Sequence, residues 1–290
     1  MKRALVLGGG GNVGIAWEIG VVKGLLAGGV DVRKADLIVG TSAGSVVGAH
    51  LAHGRSPDEI VTIQQEAAER RAAGGAAPAI LPEPSETLGV FALWTSFDEM
   101  TQEACAQVGR LALNVKAMPE EQWLDGFRAN NWPGWPDMPL LVTAVDCETG
   151  AFRAFDAGHG VPIERAVAAS CAVPGLFPPV TIDGRRYMDG GVRSGTSAEL
   201  AQRIEPDVVL MIAPMGASDT GIGRLAARQL AREKGELEAA GVKVHLVRFD
   251  DAAKEAAGPN LMDATRAPAT AATGEAHGRR LADDQRDSWI

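Results

Sequence analysis

The run Arg-Ala-Leu-Val-Leu at residues 3–7 is almost wholly apolar and stops at four consecutive glycines. Such a run barely alternates, which is how a strand covered on both faces reads. Beyond Gly14, the apolar residues Ile15, Ile19, Val22 and Leu26 recur at helical spacing until Ala27-Gly28-Gly29-Val30 ends the helix. The pattern then repeats. Residues 35–40 (Ala-Asp-Leu-Ile-Val-Gly) form a second buried strand that leads through Thr41-Ser42-Ala43-Gly44 into a helix stopping near Gly54. Two buried strands, each feeding a glycine turn and a helix, constrain the chain to an α/β fold.

The rest of the chain extends this reading. Residues 57–71 have the pattern of a charged amphipathic helix, 72–86 read as a flexible loop, and 86–128 are helical again. A break at 130–139 precedes a hairpin over 140–157, which turns at Glu148-Thr149-Gly150. A short helix follows, with Pro162 in its first turn. A second hairpin turns at Asp183-Gly184. Buried strands at Asp207-Val-Val-Leu-Met-Ile-Ala-Pro and Lys243-Val-His-Leu-Val-Arg-Phe flank a helix over 220–240, and the Ala-rich residues 250–290 form a helical tail. The expected architecture is a single domain over residues 1–290, a three-layer α/β/α sandwich with a mostly parallel central sheet.

The first glycine loop supports several chemistries. Gly9, Gly11 and Gly14 satisfy G-x-G-x-x-G, but a dinucleotide site also wants an acidic residue ending the second strand. That strand ends in Gly40-Thr41, and Asp31 precedes it. A phosphate-binding P-loop needs Lys and then Ser or Thr after the last glycine, where this chain has Ile15 and Ala16. The second turn is more informative. Gly40-Thr41-Ser42-Ala43-Gly44 is G-x-S-x-G between a strand and a helix, the context of a nucleophile elbow. A serine on so sharp a turn leaves no room for side chains two residues before and after it, hence the two glycines. The following helix adds the positive end of its dipole.

A nucleophilic serine needs a base. His50 and His53 lie about two and three turns along the helix after Ser42. His159 sits in a glycine-rich loop, His245 within a strand and His277 in the polar tail, so none has supporting context. Asp189 is the better choice. It ends a strand and precedes Gly190 and Gly191, and the hairpin before it already has its own Asp-Gly turn.

These motifs together resemble the patatin-like phospholipase family, whose pattern is a G-G-G-x-x-G loop, then G-x-S-x-G, then D-G-G or D-G-A. They stand here as Gly9 to Gly14, Gly40 to Gly44, and Asp189 to Gly191. The segment Ala168-Ala-Ser-Cys-Ala-Val-Pro also resembles the family's block before the aspartate. The resemblance implies that Ser42 is the nucleophile and Asp189 its base, a dyad without histidine. It implies an oxyanion hole of main-chain N–H groups drawn from Gly9, Gly10, Gly11 and Asn12. The implied reaction is hydrolysis of a fatty-acyl ester through an acyl-enzyme, with no metal or cofactor. Acyl transfer, thioester hydrolysis and non-catalytic ligand binding are the alternatives. Many members carry Arg or Lys just before the last glycine of the first motif; this chain has Val13 there.

Charge and cysteine content narrow the partners. The net charge of −9 and the absence of a basic run argue against nucleic acid and leave at most peripheral contact with a membrane. Three widely spaced cysteines, Cys105, Cys147 and Cys171, fit a reducing cytoplasm. No apolar run is long enough for a signal peptide or a spanning helix. Residues 57–139 carry Trp94, Trp123, Trp132, Trp135, Phe91, Phe97 and Phe127. They form either a satellite helical core or a lid and acyl-chain groove, and substrate selection is expected there. The sequence sets no oligomeric state.

Overall fold

The computed structural model describes residues 1–73, 82–215 and 221–289. In chain order the elements are β1 (Arg3–Leu7), α1 (Gly11–Ala27), β2 (Leu37–Gly40), α2 (Ala43–Ala52), α3 (Pro57–Ala73), α4 (Pro84–Ser96), α5 (Gln102–Ala112) and α6 (Glu120–Arg128). Then come β3 (Leu140–Asp146), β4 (Phe152–Phe155), α7 (Ile163–Ser170), β5 (Val180–Ile182) and β6 (Arg185–Asp189). The chain continues through β7 (Val208–Ala213), α8 (Gly221–Ala239), β8 (Lys243–Arg248), α9 (Asp251–Ala257) and α10 (Ala267–Trp289).

Among the described residues, eight strands join one sheet in the order β5-β6-β3-β2-β1-β7-β8, with β4 also paired to β3. The strands β3, β2, β1, β7 and β8 are mutually parallel, while β4, β5 and β6 run antiparallel to their neighbours. This is the α/β sandwich expected, with a parallel centre and an antiparallel margin. Alternate residues divide between the two faces, as the period of a strand requires. Leu5, Leu7 and Ile38 pack with α1, α2, α7 and α10, whereas Ala4, Val6, Leu37 and Val39 pack with Leu230 and Leu237 of α8. A third cluster joins Val90, Trp94, Cys105 and Val108 to Val145 and Met188 at the antiparallel margin.

Several boundaries differ from expectation. The first helix begins at Gly11, not beyond Gly14, so half of the glycine loop is helical. The helical stretch expected over 86–128 is made of three helices, α4 to α6. The loop expected over 72–86 falls largely on 74–81, outside the described residues; its flanks belong to α3 and to α4, which opens on Pro84. The tail divides into α9 and α10 at Gly258, whose φ of 67° ends α9. The β5–β6 turn holds Asp183 and Gly184 at φ of 50° and 75°, the double positive φ of a type I′ hairpin.

The register of β3 positions the site. β4 occupies one edge of β3 along residues 142–145. The other edge is therefore shared by β2, ending with Gly40 opposite Val142, and by β6, ending with Asp189 opposite Ala144. β2 runs parallel to β3 and β6 antiparallel, so the two meet end to end at their C-termini. Only Thr143 separates their pairing positions, and the turns after Gly40 and Asp189 open into the same space.

Candidate active site

The turn after β2 is tightly determined. Thr41 N–H donates to Leu7 O at 3.0 Å, and Thr41 Oγ1 lies 2.7 Å from Thr143 Oγ1. Ser42 then takes φ 53° and ψ −120°, a strained conformation for a non-glycine residue, and α2 starts at once. Both flanking glycines are sterically required. A Cβ on Gly40 would fall 2.6 Å from Ser45 Cα, and one on Gly44 would fall 2.2 Å from the carbonyl of Leu7. The strained turn is held by side chains. Ser42 N–H donates to Ser170 Oγ at 2.9 Å, and Ser45 Oγ donates to Ser42 O at 2.6 Å. Cys171 Sγ approaches the same carbonyl at 3.3 Å. The Ala-Ala-Ser-Cys block thus acts as a backbone support for Ser42, a role that its sequence does not reveal.

Asp189 is the last residue of β6 and is 3% exposed. Its carboxylate accepts from Gly191 N–H at 2.7 Å, and the Ser42 hydroxyl lies close enough to lower its pKa. Among the described residues no cation offsets its burial, so desolvation pushes its pKa from 3.8 to about 7, against the opposing pull of the Ser42 hydroxyl and the Gly191 amide. Gly190 is crowded: a Cβ there would lie 2.3 Å from Thr143 Oγ1. Among the described residues, none of the five histidines hydrogen-bonds Ser42 or Asp189. His50, for example, is buried against Asn130, with its pKa pushed down to about 3 by desolvation and by Arg55.

The four residues named for the anion-binding loop divide in two. Gly9 N–H donates to Gly195 O at 2.9 Å and is therefore not free to meet a ligand, contrary to expectation. Gly10 caps α1, and Gly11 and Asn12 open it, so their N–H groups have no partner within the helix. They have no acceptor elsewhere among the described residues. The next two amides are occupied: Val13 N–H donates to Leu261 O at 3.1 Å and Gly14 N–H to Gly10 O at 2.8 Å. Gly9 still borders the nucleophile: an added Cβ would lie 3.5 Å from Ser42 Cβ, at ordinary van der Waals contact.

Ser42, Asp189 and residues 9–12 line one cavity of about 1460 Å³. Its walls include Phe91 and Trp94 of α4, Trp123 and Phe127 of α6, and Phe177, Phe249, Leu261 and Met262. Gln64, Gln122, Asn130, Asp125 and Lys254 supply polar lining. The aromatic residues of 57–139 therefore split. Some wall the cavity, while Trp132 and Trp135 pack against the core, Trp135 donating to Val161 O at 2.6 Å.

Two buried carboxyl groups that motif reading missed sit behind the site. Glu233 of α8 accepts from Ser194 Oγ and Thr196 Oγ1, both at 2.5 Å, and from Ala198 N–H at 2.9 Å. It thereby pins the segment whose Gly195 carbonyl holds Gly9. Glu18 of α1 accepts from Gly8 N–H at 3.0 Å, and burial drives its pKa well up. A polar residue on an otherwise apolar helix face was the only signal for either.

The comparisons with known proteins agree with the motifs. Over 234 residues the chain is 26% identical to an NTE family protein of Mycobacterium tuberculosis, covering 80% of this chain and 54% of that one. It is 30% identical over 218 residues to human patatin-like phospholipase domain-containing protein 6, covering 74% of this chain and 13% of that one. The chain thus spans about half the length of the mycobacterial relative and a small part of the human one. Among solved structures it is similar to VipD from Legionella pneumophila, at TM-score 0.44 and 13% identity over 98% of this chain and 67% of that one. The family model described as Patatin-like phospholipase matches residues 5–201, more than half of the sequence, and the chain belongs to that family.

Proposed function

We propose that this chain, acting as one catalytic unit, is a serine hydrolase of fatty-acyl carboxylic esters, with Ser42 as nucleophile and Asp189 as its general base. The observation that carries this reading is the Ser42 side chain beside a buried carboxylate that has no cationic partner among the described residues, both at the wall of one large cavity. A carboxylate is normally too weak a base at neutral pH. One whose pKa is near 7 is matched to the task.

The proposed steps are as follows. Asp189 takes the proton of Ser42 as Oγ attacks the ester carbonyl. The negative oxygen of the tetrahedral intermediate meets the free N–H groups of Gly10, Gly11 and Asn12, aided by the N-terminal end of α1. Collapse expels the alcohol, which takes the proton from Asp189 and leaves an acyl group on Ser42. A water then gives its proton to Asp189 and attacks the acyl carbon. Ser42 recovers the proton from Asp189, and the fatty acid departs. A volume of about 1460 Å³ exceeds the roughly 300–1,000 Å³ of ordinary small-molecule sites, which supports a long acyl substrate. The walls formed by α4 and α6 make residues 57–139 the proposed selector of that chain.

The test is a series of p-nitrophenyl esters of rising chain length, run beside a phospholipid and a lysophospholipid. Turnover is expected to rise with acyl length and to fall about 10³-fold or more in Ser42→Ala. Turnover of thioesters alone would favour the thioesterase reading. A folded protein that binds the acyl compounds without turning any over would reduce the chain to a ligand-binding member of the fold.

A further inference from the structure

The C-terminal segment, beyond the residues matched by the family, reaches back to the anion-binding loop. α10 runs alongside α1 in the same direction, and glycines set the spacing. A Cβ on Gly20 or Gly24 of α1, or on Gly28 just past its end, would lie 2.2 Å from Ala271 O, 2.2 Å from Glu275 O and 2.1 Å from Ala282 Cβ respectively. From the other side, a Cβ on Gly274 or Gly278 would lie 2.4 Å from Trp17 O or 2.2 Å from Val21 O. Backbone contact at four of these glycines, with the Ala282 methyl against Gly28, fixes α10 against α1 closely, and so fixes the segment leading into it. That segment crosses the start of α1. Leu261 O accepts from Val13 N–H at 3.1 Å, and Met262 O accepts from Asn12 Nδ2 at 2.8 Å. Gly11, at φ 60°, lies beneath the strap with room for no side chain: a Cβ would fall 2.6 Å from Leu261 O.

We propose that residues 258–262 are a positioning strap for the oxyanion hole, with Asn12 as the residue that ties it down. The inference rests on the proposed hydrolase reading for its catalytic consequence. Its physical basis does not. Of the first amides of α1, the strap engages the third, Val13, directly, and grips the second residue by its side chain. The strap thereby holds in place the N–H groups of Gly11 and Asn12, which have no acceptor among the described residues and belong to residues lining the cavity that holds Ser42. Immobile donors are what transition-state stabilisation requires, because the site then need not reorganise as charge develops. The strap also walls the cavity through Leu261 and Met262. A single short segment thus aligns the donors and borders the substrate.

The experiment has two arms. The first uses the wild-type protein: amide hydrogen exchange resolved to single residues by NMR. Val13 is expected to exchange slowly, at the rate of the protected core of α1, while Gly11 and Asn12 exchange rapidly. Val13 exchanging as fast as Gly11 would overturn the strap whether or not the protein is a hydrolase. The second arm is Asn12→Ala. With fluorophosphonate labelling of Ser42 as the readout of the hydrolase itself, the variant is expected to lose about tenfold or more in kcat with KM within twofold, because misplacement of a reacting geometry acts on the transition state. Its Val13 amide should exchange faster. A change in KM alone would assign the strap to the cavity wall and refute positioning. An unchanged kcat in a folded variant would do the same. If wild type fails to label, the hydrolase reading falls, and the exchange arm still decides the strap.

Discussion

Asp189→Asn should make the protein more stable while it loses activity, and the gain should depend on pH in a defined way. In the folded state the carboxyl is buried and has a pKa near 7, against 3.8 when exposed. The folded protein therefore holds a proton that the unfolded chain has lost between those values. Stability falls with rising pH across that window, because the native state binds more protons. At about 1.36 kcal/mol per pH unit, a rise from 3.8 to about 7 corresponds to roughly 4 kcal/mol of destabilisation, complete above pH 7. Asparagine is neutral at every pH and nearly the same shape. Its oxygen can still accept from Gly191 N–H, and its amide can donate to Ser42 Oγ. The variant should match wild type near pH 4 and exceed it by on the order of 4 kcal/mol at pH 8. Urea unfolding of both proteins from pH 4 to 8.5 measures this directly, and subtraction removes the other titrating groups, including Glu18 and Glu233. Ester turnover should fall about 10²-fold or more over the same range. A stability difference that stays constant from pH 4 to 8.5 would refute the claim that Asp189 is an uncompensated buried carboxyl.

Other consequences can be checked with the same assays. The wild-type kcat/KM should rise with pH through an apparent pKa near 7 and then level off, since the ionised carboxylate is the active form; a profile flat from pH 5 to 8 would contradict this. Gly44→Ala places a methyl group 2.2 Å from the Leu7 carbonyl and should lower stability by about 3 kcal/mol in urea melts, with loss of activity. Ser170→Ala leaves the Ser42 N–H without a buried acceptor and should lower stability by about 1–3 kcal/mol, with turnover falling in step as the turn loosens.

Much of this site was legible in sequence because its geometry demands particular residues. Glycine at positions 40 and 44 records two backbone collisions, and Asp189 stood out as an Asp-Gly pair beyond the one its hairpin needed. The start of α1 was not legible in the same way. Gly11 and Gly14 disfavour a helix intrinsically, but the carbonyls of Gly10 and Leu261 accept from the first-turn amides and let the helix begin there. The correction at Gly9 has a similar source. Whether a loop amide is free depends on a carbonyl at position 195, which sequence distance hides. Glu233 and the role of Ser170 as acceptor for Ser42 N–H were not legible, because a buried hydrogen-bond acceptor carries no spacing signature. The glycines at 20, 24, 28, 274 and 278 do lie at helical spacing, yet only the fold shows that they face one another.

The proposed catalysis depends most on Ser42 being a nucleophile activated by its neighbour. The direct measurement is labelling with a fluorophosphonate, followed by mass spectrometry of the digested protein. Wild type should gain one adduct on the peptide containing Ser42, Ser42→Ala should gain none, and Asp189→Asn should label far more slowly. An adduct on another residue, or none on a folded wild-type protein, would contradict the account.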